Sequence, residues 1–317
     1  MKQRVVYMGT PDFAVPALHA LVKADYQVCA VVTQPDKPKG RGKAMLPTPV
    51  KEAALEYGIP VYQPKKVRTP EFVEFLKELQ PDMIVVAAFG QFLSKTILDI
   101  PKYGCVNIHA SLLPKYRGAS PIQQAVIQGE IESGVTIMRM GMGLDTGDMI
   151  SKVTVRLDKE ETGGSLFDKL AQSGAELLIE TLPSIFEETA VYEHQPEESP
   201  TPYCRMITKQ MGLLDFEKSA QELERLVRGM NPWPSAYTYL NGKTLKVWRC
   251  TAKADNASDA EPGSIILTDK NGIHVKCKEG ILILKEVQME GKKRMEADTF
   301  LRGYRIETGT KLTKSKE

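Results

Sequence analysis

A mostly parallel α/β sheet with helices on both faces, followed by a smaller β-barrel, is the architecture the sequence predicts. Three observations carry it: apolar runs alternating with helical patterns through residue 190, a Pro-, Ser- and Glu-rich break near residue 200, and short alternating runs punctuated by Asn-Gly after the break. A chain of 317 residues also suits two domains, each large enough to bury its own core.

RVVYMG (4–9) opens the first domain as a short apolar strand, and PDFAVPALHALVKA then places Phe13, Ala17, Leu18 and Leu21 at helical spacing. YQVCAVVTQ (26–34), IPVYQ (59–63), DMIVVAAFG (82–90) and YGCVNIHAS (103–111) are the next strand candidates. Between them lie VKEAALEYG and PEFVEFLKELQ, good helix formers, the second with Pro70 at its start. Continuous apolar strands separated by helices imply parallel pairing with both faces covered, and sites in such sheets gather at the carboxyl ends of the strands. One segment breaks the alternation: QPDKPKGRGKAMLPT (34–48), with three prolines, two glycines and four cations, reads as a mobile basic loop without helix or strand.

The expected division is a domain over 1–190, a linker over 191–208 and a second domain over 209–317. In the last part SAQELERLVRG (219–229) reads as one helix ending at Gly229, which MNPWPSAY forbids from continuing. YTYL-NG-KTLKVWRC, GSIILTD-KNG-IHVKCKEGILILKEV and a final LRGYRI read as short antiparallel strands. They fit a small barrel or a sandwich, an OB-like barrel being among the options.

Net charge is only +2, yet the cations of the second domain cluster at Lys292-Lys293-Arg294, Arg302, Arg305, Lys311, Lys314 and Lys316. Such a face is either solvated or binds a polyanion, and charge placement alone does not decide. No secretory signal and no apolar window of membrane-spanning length is present, so a cytoplasmic, soluble protein is expected, with no membrane partner. The five cysteines are scattered without a C-x-x-C pair, which argues against a disulfide framework and a zinc site; no metal is expected.

The chemistry concentrates in CVNIHASLLPKYRG (105–118). In an extended chain Cys105, Asn107 and His109 share one face while Val106 and Ile108 take the other. Asn107 and His109 then stand about 6–7 Å apart along the backbone, near the carboxyl end of a strand. A carboxylate could come from GVTIMRMGMGLDTGDMISK, where Asp145 and Asp148 sit in a turn with glycines 141, 143 and 147; beside His109 it would favour the charged imidazole and fix its orientation. A Cys105–His109 nucleophile pair fails because the two are about 13 Å apart by strand rise. Ser111 with His109 and Asp145 names a triad but lacks a G-x-S-x-G elbow, and one His with one Asp is too few ligands for a metal. Non-covalent acyl transfer remains, with Asn107 and a protonated His109 stabilising an oxyanion and moving protons.

NIHASLLPKYRGASPIQ, followed by GVTIMRMGMGLDTGDMI, resembles the signature of the folate-dependent formyltransferases over about residues 1–190. VVYMGTPDFAVPAL, the basic insert QPDKPKGRGKAM, and GMNPWPSAYT with GKTLKVW resemble those members of the family that formylate charged initiator tRNA. The resemblance implies a Rossmann-like catalytic domain, an OB-like tRNA-binding barrel, 10-formyltetrahydrofolate as formyl donor, and methionyl initiator tRNA as acceptor and partner of a monomer. It assigns Asn107, His109 and Asp145 to catalysis. Ser111, Leu112, Leu113 and Pro114 it assigns to the folate-lining segment, and Phe89, Gly90 and Gln91 to the wall of the pterin pocket. Arg41, with Lys39 and Lys43, it assigns to the tRNA acceptor end. Formylation of a small-molecule amine, or tRNA binding without catalysis, are the alternatives.

Overall fold

The computed structural model describes residues 2–39, 44–255 and 259–316. The chain divides into two compact units: Met1–Pro121, Glu132–Arg156 and Phe167–Cys204 form the first, and Ile122–Ile131, Leu157–Leu166 and Arg205–Glu317 the second.

In the first unit the apolar runs become β1 (Arg4–Gly9), α1 (Val15–Lys23) and β2 (Gln27–Val32). The basic segment 34–48, expected to hold no regular structure, instead carries β3 (Lys37–Lys39) and β4 (Ala44–Leu46), which pair with each other antiparallel. A two-stranded ribbon has two free edges, so Pro38 loses no ladder bond that matters there. There follow α2 (Pro49–Glu56), β5 (Val61–Tyr62), α3 (Pro70–Glu78), β6 (Met83–Ala87), α4 (Lys95–Leu98) and β7 (Cys105–His109). Both α2 and α3 start on proline, and Thr48 caps α2 by accepting from Lys51 N at 3.2 Å. Then come α5 (Pro121–Gln128), which from Ile122 on groups with the second unit, β8 (Glu132–Arg139), β9 (Met149–Arg156) and α6 (Gly163–Phe186), whose first residues through Leu166 do likewise.

The sheet runs β5-β2-β1-β6-β7-β8-β9, parallel from β5 to β7 and antiparallel across β8 and β9. Helices cover both faces. Val73 and Leu76 of α3 and Ile97 of α4 pack with Val6, Met8 and Cys105 on one face. On the other, Tyr7 donates its hydroxyl to Ala14 O, and a Cβ at Gly174 of α6 would stand 2.8 Å from Ile108 Cγ2, so the helix approaches only because that residue is glycine. The chain winds outward in opposite directions from β1 and β6, which places the crevice between their carboxyl ends at the reversal point where doubly wound folds bind ligands.

In the second unit α7 (Ala220–Gly229) opens with a capping box: Ser219 Oγ accepts from Glu222 N at 3.2 Å and Glu222 Oε2 accepts from Ser219 N at 2.9 Å. Antiparallel strands follow: β10 (Ala236–Leu240), β11 (Lys243–Lys253), β12 (Ile265–Asp269), β13 (Gly272–Lys276), β14 (Ile281–Met289) and the short β15 (Met295–Glu296), in the order β10-β11-β14-β13-β12 with β15 on β14. The carboxy-terminal residues 309–313 bond to both edges. Leu312 N donates to Gly263 O beside β12 at 2.8 Å, and Tyr239 N of β10 donates to Thr313 O at 3.1 Å. The edges are thereby covered in the manner of a small barrel. LRGYRI, expected as a last strand, instead contributes Leu301–Gly303 to α8 (Ala297–Gly303). Ala297 and Phe300, three apart and both buried, set a helical face that outweighs the local strand propensity.

Candidate active site

β7 delivers Asn107 and His109 to the carboxyl end of the sheet on the face that also holds Cys105. His109 is 6% exposed. Its Nε2 lies 3.1 Å from Tyr116 O, and its Nδ1 faces Asp145 Oδ1 at 3.7 Å, longer than a hydrogen bond. Both ring nitrogens thus face oxygen atoms, Nε2 within hydrogen-bond distance and Nδ1 beyond it. Half-buried beside it, the Asn107 side chain has no hydrogen-bond partner among the described residues.

Asp145 owes its position to backbone geometry. It adopts φ +52°, its Oδ2 accepts from Gly118 N at 2.8 Å, and Gln195 Nε2 donates to Asp145 O at 3.0 Å and Gly147 O at 2.7 Å. A Cβ at Gly147 would stand 1.7 Å from Arg139 O, so the turn that presents Asp145 closes only over glycine there. Asp148 points elsewhere: its Oδ1 meets Nδ1 of the exposed His194 at 2.8 Å. The two aspartates, equivalent in the sequence, are thus separated into one that faces His109 and one on the surface.

Several groups that frame the site were not assigned from sequence. Thr136, fully buried on β8 opposite His109, donates to Ser111 O at 2.7 Å and accepts from Leu113 N at 3.1 Å, which shapes the turn after β7. Arg117 is 0% exposed and donates to Gln195 Oε1 at 3.0 Å, Pro196 O at 2.7 Å and Glu197 O at 3.2 Å. It ties residues 195–197 to the loop carrying Tyr116 and Gly118. Residues 191–204, expected within a linker, group with the first unit, and Gln195 is buried among them. Their Pro- and Glu-rich composition masks the one informative residue, a glutamine that serves three backbone and side-chain partners.

The residues assigned to the folate differ in exposure. Ser111 is 1% exposed and its hydroxyl donates to Lys115 O at 2.7 Å, so it is not poised as a nucleophile toward His109. Leu113 is buried with Met138 and Met149, and Leu112 lies against Gly134. Pro114 follows a cis peptide bond, and its carbonyl accepts from Ser199 Oγ at 3.2 Å. Phe89, assigned by resemblance to the wall of the pterin pocket, is buried with Val6 and Val86 at the end of a central strand. Its carbonyl accepts from Thr10 Oγ1 at 3.1 Å and Gln34 Nε2 at 3.2 Å. Gln91 is likewise turned inward, accepting from Val67 N at 3.0 Å and donating to Pro64 O at 3.3 Å. Of the three, only Gly90 is exposed.

Burial pushes the Cys105 thiol up to about 12 and the Cys204 thiol up to about 11, the latter with a further rise from the Asp145 charge, so neither supplies a thiolate near neutrality. Among the described residues no three His, Cys, Asp or Glu side chains converge as a metal-binding group, and no helix is long and apolar enough to cross a membrane. Arg41 and Lys43 lie outside the described residues; Lys39 falls in β3. Much of the cation cluster of the second unit is neutralised by its own fold: Arg294 pairs with Glu286, Lys311 with Glu261, Lys314 with Asp215 and Lys316 with Glu290. Lys292, Lys293 and Arg305 are exposed and have no carboxylate partner among the described residues.

A doubly wound sheet presenting this set at its carboxyl edge, followed by an antiparallel barrel-like unit, is the fold of the folate-dependent formyltransferases. Residues 1–182 match the formyl transferase domain and residues 206–305 the formyl transferase C-terminal domain. The methionyl-tRNA formyltransferase of Agathobacter rectalis is 57% identical over 311 residues, covering 98% of this chain and 99% of that one. That of Lachnospira eligens is 52% identical over 314 residues, covering 98% and 99%. The chain belongs to the methionyl-tRNA formyltransferase family. A sugar 3N-formyl transferase, WlaRD, solved with dTDP and 5-N-formyl-tetrahydrofolate, superposes with a TM-score of 0.66 over 92% of this chain and 99% of that one; at 20% identity the likeness is one of fold.

Proposed function

We propose that the protein transfers the formyl group of 10-formyltetrahydrofolate to the α-amino group of methionyl initiator tRNA. The observation that carries this is the half-buried, unpartnered Asn107 amide beside a His109 whose Nδ1 faces Asp145 at 3.7 Å. An amide without a partner at a strand end is a donor held ready for a ligand.

The folate substrate supplies an activated formyl carbon; the rest is done by the chain. An α-amine with an ordinary pKa near 8 is available in its neutral form without a strong base. As it attacks, the formyl oxygen gains negative charge, and the Asn107 N–H is the donor that stabilises it. Tyr116 O holds the Nε2–H of His109, which leaves Nδ1–H, only loosely engaged by Asp145, as the ring proton to share with that oxygen. Asp145 balances the imidazolium charge and accepts the proton that the attacking amine gives up, directly or through water. The new bond joins the formyl carbon to the α-nitrogen and the bond to N10 breaks, with a proton returned to N10.

Arg41, Lys39 and Lys43 are proposed to meet the acceptor end of the tRNA, and the unpaired Lys292, Lys293 and Arg305 to contact its phosphates. Transfer of labelled formyl from 10-formyltetrahydrofolate onto charged initiator tRNA, with charged elongator methionine tRNA as control, tests the reading. Transfer to a free amino sugar or nucleotide amine and none to charged tRNA would overturn it. Arg41→Ala should weaken use of the tRNA while sparing slow folate hydrolysis.

A further inference from the structure

At the free edge of the first sheet, β5 and α3 enclose a cleft of about 570 Å³ lined by Tyr62, Pro64, Phe72 and Phe75, with Lys65 and Lys66 on its rim. The rings form a continuous apolar wall: Tyr62 and Phe75 have centroids 4.3 Å apart at 49°, and Phe72 and Phe75 are 5.5 Å apart at 40°. All three rings are partly exposed at the cleft, and Tyr62 and Phe72 also pack against the buried cluster beneath them. Lys65 and Lys66 are exposed and have no carboxylate partner among the described residues, and they outnumber the single rim carboxylate, Glu71. Aromatic faces flanked by unpaired ammonium groups suit a base that stacks and a phosphate that pairs.

The cleft is also braced against the parts of the fold that handle substrate. Gln63 Nε2 donates to Gln34 O at 2.9 Å and Asp36 Oδ1 at 2.6 Å, and Lys51 Nζ donates to Asp36 Oδ2 at 2.6 Å, which fastens the base of the basic insert to the strand entering the cleft. Gln91 holds Pro64 O and Val67 N, fastening the cleft loop to the turn after β6. Because β5, β2, β1, β6 and β7 are parallel, the cleft and His109 lie at the same end of the sheet, four strand spacings or about 19 Å apart. A few unpaired nucleotides span that distance.

We infer that this cleft is a stacking site for an unpaired nucleotide near the 3′ end of the RNA acceptor. The inference rests on the formyl-transfer reading and adds a contact to it. The probe is uncharged initiator tRNA labelled with a fluorophore, binding to the full chain followed by anisotropy, against the same tRNA lacking its unpaired 3′ nucleotides. Lys65→Glu/Lys66→Glu and, separately, Phe72→Leu, which keeps apolar bulk, should each weaken binding of intact tRNA about tenfold. With the shortened tRNA both variants should match wild type, and thermal midpoints should be unchanged. Binding of intact tRNA within twofold of wild type in both variants, or an equal loss with the shortened tRNA, overturns the inference. If wild type binds and formylates no tRNA at all, the formyl-transfer reading falls, and the cleft's role with it; if wild type does both and the variants bind normally, only the cleft's role falls.

Discussion

Replacing Asp145 by Asn removes one negative charge while keeping an amide oxygen where Oδ2 accepts from Gly118 N at 2.8 Å. The turn is therefore preserved, and what changes is the field at His109. At the 3.7 Å separation of Nδ1 and Oδ1, an effective dielectric near 20 makes a full charge pair worth about 4–5 kcal/mol. Desolvation of two mostly buried groups offsets part of this, and a residue of about 2 kcal/mol corresponds to roughly thirtyfold in kcat. Formyl transfer measured at saturating folate and tRNA should show that loss, with KM for the tRNA unchanged and the thermal midpoint within a few degrees of wild type. Asp145→Ala, which also abandons the Gly118 N–H, should lose both activity and stability. A kcat for Asp145→Asn within threefold of wild type would refute the role given to the charge.

Asn107→Ala should lower kcat by about 10²–10³ with little change in stability, since the amide has no partner among the described residues to orphan; a loss below tenfold in single-turnover transfer would remove it from the site. Arg117→Leu leaves Gln195 Oε1, Pro196 O and Glu197 O without their donor and should cost about 3 kcal/mol or more in denaturant unfolding, whereas a change under 1 kcal/mol would mean the strap is held by other contacts. Cys105 and Cys204 have thiols raised by burial to about 12 and about 11, so at pH 8 native protein should resist alkylation that labels the unfolded chain, and transfer activity should survive the reagent. The sign follows from the same shifts: protonated thiols favour the fold below the unfolded value near 9, and that contribution fades as pH rises through the folded values; increasing stability from pH 9 to 11 would contradict it.

The strand and helix succession of the first unit was legible because near-continuous apolar runs such as VVYM and MIVVA can only be buried on both faces, and prolines and glycines mark the ends. Where propensity and composition spoke against structure, neighbours decided: the insert holds a paired ribbon despite its prolines, and Leu301–Gly303 joins a helix because Phe300 is needed in the core. The partition of the chain was less legible, since Ile122–Ile131 and Leu157–Leu166 group with the second unit. There Arg225 donates to Gln128 O at 3.4 Å and Arg228 to Glu161 O at 2.8 Å, contacts between residues about 70 to 100 positions apart.

By itself the sequence determined the alternation that puts Asn107 and His109 on one strand face, since side chains two apart share a side whatever surrounds them. It also narrowed the carboxylate to one glycine-rich turn. Spacing left Asp145 and Asp148 equivalent and only the resemblance favoured Asp145; what physically separates them is tertiary, the Gly147 contact with Arg139 O and the hydrogen bonds from Gly118 and Gln195. The tertiary structure alone turned Phe89 and Gln91 inward and drew a buried arginine and a glutamine from a nondescript segment into the frame of the site. The physical reason is range: periodicity and turn chemistry act between neighbours, whereas the direction of a carboxylate is fixed by partners 27 to 50 residues away.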